Sequence, residues 1–178
     1  MKIKFPLTDI LRLEEGYWDN SSAEDIKREK HIENELAPAV RNRGYYRKLE
    51  LQTLCHWKTP RSKRLIESNS DEFIQAATQT ALSTPDERLR VEVLTLFRGV
   101  SWSTASVVLH FGYQDLYPIL DFRALWSLGV NTLPDYEFDF WWEYTQVCRQ
   151  LAREAKVSMR TLDRALWQYS KEKQGSKH

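Results

Sequence analysis

Cysteine is scarce in this chain. Cys55 and Cys148 are its only two, far apart and outside any CxxC or Cys/His spacing. That excludes a disulfide framework and a clustered-thiolate metal site, and it points to reduced core residues in a cytoplasmic protein. Long apolar runs are missing as well. The opening MKIKFPLTDI is too polar for a secretory signal and nothing approaches a membrane span, so no membrane partner is expected. Strand-like alternation, internal repeats and low-complexity tracts are also lacking, which leaves helices as the building material. Net charge is only +1. Alone, that says little about partners.

Apolar residues make up 42% of the 178, with seven Trp and eight Tyr among them, enough for one compact helical domain spanning residues 1–178. The charge is unevenly spread. Between Arg41 and Arg64 lie eight basic residues and one acid, Glu50, so that segment is +7 and the remainder −6. This is either a footprint for a polyanion or a solvated helix face.

Helix punctuation is frequent. Residues 1–20 read as an irregular or partly extended arm anchored by Tyr17-Trp18. Ser21 with Glu24 forms a capping box opening a helix to about Leu36, before Pro38. A helix from about Tyr45 to Trp57 places Leu49, Leu51, Leu54 and Cys55 among its core candidates. Thr59-Pro60 launches a basic helix to about Glu67. Ser70 starts another to about Leu82, and Thr84 with Glu87 a third. Beyond Gly129, helices are expected over Tyr136–Ala155 and, capped by Ser158, from Met159 to about Lys171.

The stretch LTLFRGVSWSTASVVLHFGYQDLYPILDFRALWSLG, Leu94 to Gly129, organises the rest. Gly99 breaks an apolar helix at a point suited to positive φ. Ser101-Trp102-Ser103-Thr104 then opens a second helix. Unsatisfied amides and the positive dipole end at such a start make a seat for phosphate. Eighteen residues after Ser103 stands Asp121, placed to cap the helix from Phe122 to Leu128.

FRGVSWSTASVVLHF resembles the helix-hairpin-helix of the DNA glycosylases in the hairpin–Gly/Pro–Asp superfamily, and YPILDFRALWSLG resembles the segment that carries their catalytic aspartate. The resemblance covers about this one stretch, with the hairpin over about 86–111 and the aspartate loop and helix over about 115–129. It implies an all-α, two-lobed fold with an interlobe cleft, and double-stranded DNA as partner. It further implies Asp121 as the catalytic residue, with Gly99, Ser101, Ser103 and Thr104 contacting DNA. The chain departs from the family pattern at three places. Ser101 replaces the second hairpin glycine, Ser103 replaces the nucleophilic lysine of bifunctional members, and a four-cysteine cluster is lacking. Without an amine at 103 no Schiff base with the sugar can form by the usual route.

Outside the hairpin, Arg43 and Arg61 are expected to contact DNA, and Trp57, Lys58 and Tyr45 to line a base pocket. Trp57 either stacks on a flipped base or ends its helix in the core. Tyr45 and Tyr46 line the mouth or fill a plug-like loop. Arg98 and Trp102 touch backbone or lie on the surface. Arg123 pairs with Asp121, with phosphate, or in a surface bridge. His56 and His110 have no metal-ligand company, so no metal site or cofactor is expected beyond a monovalent cation at the hairpin turn. The reading that follows is a monofunctional, monomeric glycosylase acting on a damaged base in repair or on a hypermodified phage base in defence. The alternative is a non-catalytic DNA-binding module.

Overall fold

Helices account for all the regular structure among the described residues, 1–60 and 63–174 of a computed structural model. They are α1 (Ile10–Asp19), α2 (Ala23–His31), α3 (Ala37–Arg43), α4 (Lys48–Lys58), α5 (Lys63–Glu67) and α6 (Asp71–Ser83). After these come α7 (Glu87–Thr95), α8 (Trp102–Gly112), α9 (Phe122–Ser127), α10 (Phe138–Ala155) and α11 (Met159–Gln174). The all-helical class read from the sequence is what the chain adopts. The polypeptide divides into two compact units, one made of Met1–Ser22 with Asp115–His178 and the other of Ala23–Gln114.

In the first unit, α11 packs against α1, α9 and α10. Residues Ile10 and Leu13 of α1 and Leu162, Ala165 and Leu166 of α11 are buried. Gly16 lies in the seam of the two helices, where a Cβ would meet the Gln168 and Glu172 side chains at 3.4 Å, an ordinary contact distance. The expected arm at residues 1–20 is therefore largely helix. Its apolar residues, Ile10, Leu13 and Tyr17, recur at helical spacing within a segment only ten residues long. Tyr17 packs edge-on to Trp18 and to Trp167, each at 5.5 Å, so the anchoring pair is real. A 3-10 turn at Leu7–Asp9 leads into α1, and the residues before it lie over the end of α9: Lys2 N–H donates to the Leu128 carbonyl and Lys4 N–H to that of Ser127.

In the second unit α8 is the central element, packed against α3, α4, α6 and α7, and every residue from Thr104 to Gly112 is buried. Gly112 leaves room for Leu82, since a Cβ would lie 2.6 Å from a Leu82 methyl and displace that side chain. Tyr46, fully buried, donates its hydroxyl to the Val108 carbonyl at 2.8 Å.

Local details differ from the sequence expectations where tertiary packing outranked the cap signals. Helical backbone continues through Pro38, because a π-helical segment at Ile32–Leu36 widens the turn where the proline ring would strike the carbonyl four residues earlier. Ser21 donates to the Tyr17 carbonyl at 2.7 Å and so closes α1 instead of boxing α2. Helix α4 starts three residues late, after Tyr46 has turned inward, and its first turn receives Glu50, which accepts the Arg47 N–H. That register leaves Leu49 73% exposed, whereas Leu51, Leu54 and Cys55 are buried. The N-cap of α7 is Asp86, because the Thr84 N–H still closes α6 through the Thr80 carbonyl. Both cysteines are free and buried, and burial pushes the Cys55 thiol up to about 12 and raises that of Cys148 too. Inert core thiols behave this way.

Candidate functional site

The hairpin lies in the second unit. Its turn is built by consecutive i→i+3 bonds, Phe97 N–H to the Leu94 carbonyl and Val100 N–H to that of Phe97, with Gly99 at φ +85. A residue with Cβ pays roughly 1–2 kcal/mol in that region. Ser101 adopts extended backbone and becomes the N-cap of α8, its hydroxyl accepting from Thr104 N–H at a long 3.5 Å. The leading amides of α8 point along the axis toward the turn. Ser101 is exposed, Ser103 half-buried and Thr104 buried at 3% exposure. Hence Gly99, Ser101 and Ser103 form the accessible part of the expected grip, and Thr104 supports it from within.

Asn69 is a residue that sequence reasoning missed. It is buried, its carbonyl oxygen accepts Arg98 N–H at 3.0 Å, and its amide donates to the Arg98 carbonyl at 3.1 Å and to that of Ile66 at 3.0 Å. One side chain thus clamps both backbone groups of the residue preceding Gly99. Within a loop reading Ser-Asn-Ser, nothing in the sequence distinguishes it from ordinary turn chemistry. The Phe97 and Arg98 carbonyls each keep a second lone pair, a hard oxygen donor set compatible with a monovalent cation at this turn. No group of His, Cys, Asp and Glu that could hold a metal ion occurs among the described residues.

Arg43 and Tyr45 come together. The Arg43 guanidinium pairs with Glu50, donates to the Tyr45 carbonyl at 3.0 Å and lies 4.8 Å from the Tyr45 ring centroid. Much of the local positive charge is engaged inside the unit: Arg41 donates to the Phe111 carbonyl, and Lys48 pairs with Asp71 at 3.3 Å. Trp57 and Lys58 end α4, both half-buried, and the Trp57 ring meets Phe111 edge-on at 5.7 Å. Arg61 lies outside the described residues. His56 is exposed and His110 buried against Phe111.

Asp121 lies in the first unit. The loop leading to it is buried from Tyr117 to Leu120. Tyr117 stacks on the fully buried Trp141 at 5.8 Å, and the Tyr144 hydroxyl holds the Ile119 carbonyl at 2.8 Å. Asp121 follows in extended conformation and accepts Arg123 N–H at 2.8 Å, and its carbonyl takes the Leu125 N–H. The side chain is half-buried. The Arg123 guanidinium rests over the rings of Phe122 and Trp167, at 5.2 and 5.5 Å. Tyr136 is a second residue the sequence did not disclose. Burial raises its phenol above the ordinary range, and the negative charge of Asp121 raises it further, so the two groups face one field. Tyr136 in turn stacks on Phe140 at 5.9 Å.

A carboxylate anchored by a backbone amide and half-open can stabilise positive charge at an adjacent carbon and orient a water. No family model, curated protein or solved structure matches this chain.

Proposed function

We propose that the chain is a monofunctional DNA glycosylase of the two-lobed helix-hairpin-helix type, removing a damaged or modified base from duplex DNA. A base inside the stack is out of reach, so the target nucleotide is extruded before reaction. The amides after Gly99 hold a backbone phosphate. As the N-glycosidic bond breaks, its electron pair leaves with the base, which takes up a proton, and positive charge grows on the deoxyribose. Asp121 stabilises that charge and orients the water whose oxygen joins the anomeric carbon, and the proton lost by this water passes to the carboxylate or to solvent. Ser103 provides no amine, so the product is an abasic site and the strand is not cut.

The observation that carries this reading is the setting of Asp121: a half-buried N-cap carboxylate, fixed by Arg123 N–H at 2.8 Å, at the end of a buried loop. The test is to incubate duplexes bearing alkylated, deaminated, oxidised or phage-type modified bases with the protein and to reveal abasic sites by alkaline cleavage. Excision that is lost in Asp121→Asn supports the proposal. Excision at near wild-type rate in that variant removes Asp121 from the reaction.

A non-catalytic DNA grip is the second reading. It is favoured by the cap bond from Arg123 N–H, which gives Asp121 a purely structural use. Such a module binds duplex DNA with a steep salt dependence and excises no base. Comparing excision from modified phage DNA with that from plain genomic DNA separates a defence role from housekeeping repair.

A further inference from the structure

The first unit carries a cationic hollow that the proposed reaction does not use. It has a volume of about 500 Å³, opens to solvent, and is lined by Asp115, Arg149, Arg153, Lys156 and Met159 among others. Three cations face one carboxylate. That carboxylate is committed, since Asp115 accepts the Met159 N–H at 3.0 Å. The Ser158 hydroxyl likewise takes the Thr161 N–H at 3.0 Å, so the start of α11 is capped and the positive character of the hollow comes from side chains.

Arg149 is held in place. Its Nε donates to the Leu116 carbonyl at 2.7 Å, and its guanidinium lies 5.0 Å from the Tyr117 ring and 5.2 Å from the Trp142 ring. Stacked this way, a guanidinium keeps its outer N–H groups oriented with little entropy left to lose on binding. Arg153 follows one turn later on the same helix face and is exposed. Lys156 stands at the end of α10 in left-handed backbone, φ 55, and Asp115 across the hollow has φ 57. These are the only non-glycine residues with positive φ among those described. Upstream on the same face, Phe138 and Trp142 stack at 6.2 Å with only 10° between their planes, and both are half-buried. One face of a helix about 27 Å long thus runs from flat aromatic surface to clustered cations.

We infer that this hollow binds a phosphodiester of a nucleic-acid backbone, giving the chain a second nucleic-acid contact besides the hairpin. The preoriented guanidinium and its neighbours suit a phosphate group. The adjoining aromatic pair favours a polymer bearing bases over free phosphate, because ring faces next to backbone cations are how strands are held without sequence preference. The inference rests on the DNA reading only for the identity of the polymer.

The test follows backbone amide resonances of the full chain on titration with a blunt mixed-sequence duplex and, separately, with inorganic phosphate. Shifts at Lys156 to Met159 with the duplex support the inference. Shifts at Gly99 to Thr104 alone overturn it and leave the hairpin grip standing. Shifts at the hollow alone support it and overturn the hairpin grip, and silence at both overturns both. A hollow that responds to inorganic phosphate and not to duplex overturns the polymer assignment. The double variant Arg153→Gln/Lys156→Asn keeps a residue that tolerates left-handed backbone. Its plot of log affinity against log salt between about 50 and 200 mM should be shallower by roughly one to two units than that of the native chain, at about 0.9 per phosphate released. An unchanged slope in a variant that melts normally overturns the inference.

Discussion

Two aspartates in this molecule do the same local job in different surroundings. Asp86 caps α7, accepting Leu89 N–H at 2.7 Å, and is exposed. Asp121 caps α9, accepting Arg123 N–H at 2.8 Å, but is half-buried after a loop packed under Trp141 and Tyr144, and it shares its field with Tyr136. Capping accounts for Asp86 entirely. For Asp121 it accounts for the residue type and the anchoring, not for a packed approach loop or a neighbouring phenol. Local hydrogen bonding alone therefore does not distinguish the two carboxylates, and the environment beyond the first turn does.

The sharpest way to break the comparison is paired substitution. Asparagine caps as well as aspartate, so Asp121→Asn and Asp86→Asn should both melt close to the native chain. Excision should fall by about 10²–10³-fold in the first and stay unchanged in the second, as expected when one preorganised electrostatic group is lost. Equal activities in single-turnover assays would erase the distinction. Next in size is Gly99→Ala, which forces a Cβ into left-handed backbone and should cost roughly 1–2 kcal/mol in denaturant unfolding. It should also weaken duplex binding in anisotropy titrations, a loss that neither asparagine variant should share.

Smaller is Asp86→Ala, expected to lose about 1 kcal/mol with activity per folded molecule intact. If it loses activity as well, the two caps are not functionally different. The smallest effect concerns Tyr136. Its folded phenol keeps its proton beyond the point near pH 10 where an unfolded tyrosine releases it. The stability this contributes is present below that pH and declines as pH rises toward the folded value. Asp121→Asn removes one of the two causes and should lower the Tyr136 pKa, read by ultraviolet titration against Tyr136→Phe. Asp86→Asn should leave it where it was.

Much of this architecture was legible because it is written in short-range chemistry. Ser70, Ser101, Asp121 and Ser158 each accept a nearby backbone N–H at their helix starts, and Gly99 and Gly129 have the positive φ that glycine permits. What stayed hidden depends on distance in sequence. Asn69 acts on Arg98 twenty-nine residues away, and the charge of Asp121 raises the Tyr136 phenol from across a loop. Glu87 at the capping-box position points to Thr84 as the helix start, and the claim of α6 on the Thr84 amide is what shifts the cap to Asp86. In the basic segment, Arg43, expected to contact DNA, sits against Glu50 seven residues on, a pairing that charge counting does not reveal.

The residues ahead of α1 also bear on Asp121. Helix α9 is six residues long, too brief to hold its shape unaided. Its far end is stitched down by main-chain bonds from Lys2 and Lys4, by the Lys4 ammonium lying 3.5 Å over the Trp126 ring, and by the Tyr169 hydroxyl on the Lys4 carbonyl. The opening residues are in effect a hem: unpicked, they would let the rear of α9 fray, and the carboxylate at its front would shift although no atom near it had been altered.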